Sequence, residues 1–179
     1  TVYALMRLGY QQEAEAFTSW IGKRATRSHT GGKLDIMYAV DGSKIAPEVA
    51  LDHLRGYGGA RPVRVGNGAA EQVQLDIYGE LMDAVYLSNK YGHSISHDGW
   101  NGVREVINYV CDHWEEPDAG IWEMRREPQH FLHSRLMCWV AVDRAIRLAS
   151  KRSLAAPFSR WIDVRNRIYE DIWANFWNE

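Results

Sequence analysis

Apolar residues recur at three- and four-residue intervals along most of the chain. That is the spacing of amphipathic helices, and strict strand-like alternation is rare. The pattern predicts a helical hairpin over residues 2–8 and 11–27, turned at Gly9-Tyr10. Gly31-Gly32 breaks it, and residues 34–40 are short, β-branched and aromatic enough for a strand or an extended loop. Pro47 predicts a short helix to Leu54, because proline suits a first helical position. Residues 56–68, GYGGARPVRVGNG, are too rich in glycine for anything but a loop.

Beyond that loop the periodicity predicts a long helix over 69–91, stopped by Gly92. A second spans 98–114 and is closed by the turn Glu-Glu-Pro-Asp-Ala-Gly. Residues 121–124 read as a short extended piece, and helices over 133–150 and 157–177 complete the chain. Six or seven helices joined by loops of very unequal length point to an all-α toroid or solenoid, with function on the long loops of one end. No internal repeat supports a solenoid array, so the toroid is the better reading. Both ends lack capping signals, and the expectation is a partial toroid, residues 1–179, cut at both ends from a larger protein.

Composition refines this picture in three ways. Twenty-one basic and 23 acidic residues nearly cancel, so neither a nucleic-acid nor a membrane-surface partner is expected. Cys111 and Cys138 lie in apolar helical stretches and read as buried free thiols of a reducing, cytoplasmic compartment. No stretch has the apolar length of a membrane span, and no signal peptide is visible. Eight Trp and nine Tyr are a heavy amphipathic aromatic load. Such rings suit the apolar faces of sugars, although a helical core also consumes them.

Three patterns carry candidate chemistry. Glu123 follows Trp122 just after a glycine turn, where an apolar wall would favour a protonated carboxyl, as a general acid requires. The alternative is an ion pair with Arg125 or Arg126 on a solvated strand. Gln72, Asp76, Glu80 and Asp83 fall on one helical face, either a polar wall of a cavity or a solvated outer surface. Arg61 and Arg64 flank Pro62 and Val63, and their forked donors suit sugar hydroxyls or a carboxylate, or else pack the loop onto a helix. The seven histidines show no metal-ligand arrangement, no cofactor fingerprint is present, and neither metal nor cofactor is expected.

The blocks ARPVRVGNGAAEQVQLDIYGELMDAVYL, DGW and DAGIWEMRREPQHFLHSRLMCWVAVDRAIRLA, in that order, resemble the bacterial-type family 15 glycoside hydrolases. TVYALMRLGY resembles the stretch after that family's Trp-Arg-Asp motif, which is not in this chain. The resemblance implies an (α/α) toroid of six hairpins in two concentric rings, of which this chain would supply roughly half. The remainder of the parent chain would then be the partner that completes the barrel. It also implies a carbohydrate substrate, with glucose released from trehalose or from the ends of α-glucans. Glu123 matches the family's general acid, Arg61 and Arg64 match its Arg-Pro-x-Arg loop near the sugar, and Trp122 would line the pocket. Met124 stands where the fungal glucoamylases carry a second Glu, which favours the bacterial-type branch that includes trehalases. The implied mechanism is inverting, with the catalytic base outside this chain. A phosphorylase on a related toroid and a non-catalytic carbohydrate-binding module are the alternatives.

Overall fold

The structure is a computed structural model describing residues 1–27, 31–92, 94–123 and 126–178, the side chains of 25–27 excepted. The chain divides into two compact units, Thr1–Leu34 with Gln74–Glu179, and Asp35–Val73.

The described residues of the larger unit form six helices: α1 Val2–Leu8, α2 Gln11–Arg27, α3 Asp76–Tyr91, α4 His97–His113, α5 Leu132–Arg152 and α6 Phe158–Phe176. The hairpin α1–α2 turns at Gly9, whose left-handed φ of 88° lets its N–H return to the last carbonyls of α1. Ser96 caps α4 by accepting the Gly99 N–H at 3.1 Å. Side-chain pairs fix the directions of the others. Asp83 meets Arg144 and Asn89 meets Arg152, so α3 and α5 run parallel. Arg135 meets Asp171 and Asp143 meets Arg165, so α6 runs antiparallel to α5. Asn108 meets Trp161 and Glu115 meets Arg167, so α4 and α6 run parallel.

Packing follows the same alternation, with α1 against α3, α3 against α5, and α2 against α4. The helices are thus three consecutive hairpins in two layers, α1-α3-α5 and α2-α4-α6. This is the all-α arrangement expected of a toroid segment. Met82, Ile107, Val110, Cys138, Val142, Leu148, Trp161 and Ile168 form its core. Both cysteines are buried free thiols, and burial pushes them up to about 12. No described helix is long and apolar enough to cross a membrane.

The smaller unit holds a two-stranded antiparallel ribbon, β1 Val49–Ala50 against β2 Arg64–Val65. The helix expected at 47–54 is not formed. An isolated eight-residue helix is marginal, and here the backbone finds partners across the ribbon: Leu51 N–H donates to the Val63 carbonyl at 2.8 Å. Gly66, at φ 78°, packs so closely on the carbonyls of Ala46 and Pro47 that a side chain there would collide with them. Residues 35–40 are irregular rather than a strand, with the Asp35 N–H donating to the Tyr38 hydroxyl at 3.0 Å.

Two further boundaries differ from the periodicity. The expected helix over 69–91 starts only at Asp76. Residues 67–72 form turns instead, anchored where Asn67 Oδ1 accepts the Ala69 N–H at 2.9 Å. Residues 121–123 are a turn and not extended. The Glu123 N–H returns to the Gly120 carbonyl at 3.2 Å, and Gly120 has a left-handed φ of 67°.

Candidate active site

Because α3 and α5 run one way and α4 and α6 the other, the N-termini of α3 and α5 share one end of the larger unit with the α4–α5 loop. That loop carries Trp122 and Glu123. Its neck is an isolated antiparallel bridge in which Asp118 and Gln129 exchange both N–H to carbonyl bonds at 2.9 Å. At the neck Ala119 and Gly120 are buried, and a Cβ on Gly120 would stand 2.9 Å from the Phe131 ring. At the tip Trp122 is 84% exposed, and Glu123 is exposed beside it with a left-handed φ of 49°. Such a conformation is unusual for a residue with a side chain and recurs at functional sites. The apolar wall expected around Glu123 is not formed among the described residues of this chain. Arg125 and Met124 lie outside the described residues.

Below the loop, Asp118 is 1% exposed. One of its oxygens accepts both the Leu75 N–H at 2.8 Å and the Ser134 hydroxyl at 2.7 Å. Those donors stand at the starts of α3 and α5, where free N–H groups and the helix dipoles favour an anion. Asp76, the first residue of α3, is also buried, and its Oδ2 lies 3.8 Å from Nδ1 of His133 in the first turn of α5. Burial raises the Asp76 carboxyl above its ordinary range, and the facing His133 pulls it part of the way back.

The four-residue polar stripe is therefore divided. Gln72 precedes the helix, Asp76 and Asp83 face α5, where Asp83 pairs with Arg144 at 3.0 Å, and Glu80 is exposed. Sequence reasoning missed Asp118 and Ser134. Asp118 looks like an ordinary turn residue, because its donor at position 75 lies 43 residues away.

Arg61 and Arg64 belong to the smaller unit and are held differently. Arg64 Nε pairs with Glu48 Oε1 at 3.2 Å, and Glu48 Oε2 accepts the Gly68 N–H at 3.2 Å. Arg61 Nη1 donates to the Asp52 carbonyl at 3.4 Å, and both arginines are exposed. Each guanidinium keeps donors for a further acceptor. An apolar cavity of about 510 Å³ lies at the other end of the larger unit, walled by Ala14, Leu81, Val85, Val103 and Val106 and reaching Gly92 and Ser96. No group of His, Cys, Asp and Glu among the described residues has the arrangement of a metal site.

Sequence comparisons place the chain among known proteins. The family model for glycosyl hydrolases family 15 matches residues 1–179. The chain is 38% identical over 172 residues to a trehalase of Mycobacterium tuberculosis, covering 96% of this chain and 25% of that protein. It is 39% identical over 175 residues to a trehalase of Mycolicibacterium smegmatis, covering 97% and 26%. It is 46% identical over 110 residues to trehalase 1 of Sulfolobus acidocaldarius, covering 60% and 20%. The chain thus spans about a quarter of the length of the curated relatives it matches. No solved structure matches it significantly. Three consecutive helical hairpins in two layers, with a Trp-Glu turn at one end, are the part of the toroid that this match covers, and the chain belongs to glycosyl hydrolases family 15.

Proposed function

We propose that this chain is the acid-bearing segment of an α-glucoside hydrolase that releases glucose from trehalose, with the ends of α-glucans as the second substrate class. Glu123 is the general acid. The observation that carries this reading is its backbone: a carboxylate in a left-handed turn, raised on a closed loop beside an exposed tryptophan. Relatives named trehalase favour trehalose as the substrate.

In this mechanism protonated Glu123 gives its proton to the glycosidic oxygen as the bond to the anomeric carbon breaks. A second carboxylate, contributed from outside these 179 residues, takes a proton from the water that attacks the opposite face of the sugar. Inversion requires the two carboxyl groups to stand roughly 6.5–9.5 Å apart, leaving room for that water. Trp122 packs its ring on the apolar face of the glucose. Arg61 and Arg64 donate hydrogen bonds to sugar hydroxyls, Arg64 steadied by Glu48.

The test is Glu123→Gln in the protein at the length of its relatives, assayed by glucose release from trehalose. The amide cannot donate a proton to the leaving oxygen, so kcat should fall about 10²- to 10⁴-fold. Turnover within about tenfold of wild type overturns the acid assignment. Saturable trehalose binding without glucose release by the unmutated protein overturns the hydrolase reading.

A further inference from the structure

We propose that Asp118 is a positioning residue for Glu123, acting as the clamp that sets the catalytic loop on the ends of α3 and α5. This inference rests on the reading of Glu123 as the general acid. Asp118 does two things at once. Its backbone N–H and carbonyl close the neck of the loop against Gln129. Its side chain, buried beneath that neck, holds the Leu75 N–H and the Ser134 hydroxyl. The loop is thereby tied to the N-cap of α3 and the first turn of α5, two parallel neighbours of the helical layer.

A carboxylate suits this place better than any other group. One oxygen accepts two short hydrogen bonds, and both donors belong to helix starts that favour negative charge. Between the neck and Glu123 lie only four residues, and the first two, Ala119 and Gly120, are buried. A shift of the neck therefore moves the buried base of the turn that carries Glu123. Acid catalysis is sensitive to such shifts: a misplacement of about 1 Å can cost on the order of a hundredfold in rate. Asp118 touches no reacting atom in this scheme and acts only through the loop.

The experiment is a double-mutant cycle in the protein at the length of its relatives. Asp118→Ala, Glu123→Gln and the double variant are assayed on trehalose and on α-D-glucosyl fluoride, whose leaving group needs little proton donation. Asp118→Ala should lower kcat on trehalose about ten- to a hundredfold with KM little changed, and lower it much less on the fluoride. In the Glu123→Gln background the same change should cost less than about threefold, because the acid it serves is already gone. Losses that multiply in both backgrounds, or that are equal on the two substrates, overturn the proposal and leave a structural role. Should Asp118→Ala fail to fold, Ser134→Ala, which removes one of the two hydrogen bonds, is put through the same cycle under the same criteria. Full activity of Glu123→Gln on trehalose is a separate result: it removes the acid assignment itself.

Discussion

Gly79 of α3 lies directly against Met137 of α5: a Cβ at position 79 would stand 2.8 Å from the Met137 Cβ and would collide with its carbonyl oxygen. The two parallel helices pack here with no room for a side chain at position 79. Gly79→Ala therefore sets two effects against each other. Alanine favours a helix interior by about 1 kcal/mol over glycine. Forcing a methyl into a packed contact costs about 1–3 kcal/mol, and the upper part of that range applies because the obstacle is backbone. A net loss of about 1–2 kcal/mol is expected, read as a lower urea midpoint with unchanged slope. A more stable variant would mean that the helices separate easily.

The helical hairpins were legible from periodicity because apolar spacing of three and four residues is a local property, and α1, α2, α4, α5 and α6 match it to within two residues. The start of α3 was not, because the group that receives the Leu75 N–H is Asp118, far along the chain. The ribbon of the smaller unit was hidden for the same reason: Val49 and Ala50 look helical after Pro47 until Arg64 and Val65 are beside them. At the candidate site, Trp122-Glu123 stood out by residue type and by family resemblance. Its extended reading failed because the left-handed turn depends on Gly120 packing on Phe131, a contact that local propensity does not contain.

Asp76 should leave a signature in the pH dependence of stability. Its carboxyl is raised in the folded state, chiefly by burial, with Asp118 and Glu80 raising it further and His133 opposing. Between its ordinary value of 3.8 and the raised folded value, the native state holds the proton more tightly than the unfolded chain. Its contribution to stability is therefore fully present below 3.8 and is lost as pH rises through the folded value. Asp76→Asn removes the ionisation. Its stability relative to wild type should improve as pH rises across that window, by about 1.4 kcal/mol for each pH unit the window spans. Urea unfolding of both proteins from pH 3.5 to 7 checks this. A difference that does not vary with pH would mean that His133 fully offsets the burial of the carboxylate.

Gly120 separates stability from activity. Alanine there meets two obstacles, the left-handed φ of 67° and the Phe131 ring at 2.9 Å. The left-handed conformation alone costs a side chain roughly 1–2 kcal/mol, and the ring must also move. The cheapest relief is for the turn to open, because its tip is exposed and packs on little. Gly120→Ala should therefore displace Glu123 with little global unfolding. The expected result is a loss of at least tenfold in kcat on trehalose, with the melting temperature lowered by no more than about 4 °C. Gly9→Ala is the matched control. It imposes the same kind of strain, at φ 88°, on the turn between α1 and α2 with nothing within 4 Å of the added methyl. It should lower stability by roughly 1–2 kcal/mol and leave kcat unchanged. Equal activity in the two variants would mean that the geometry of the Gly120 turn does not govern the acid.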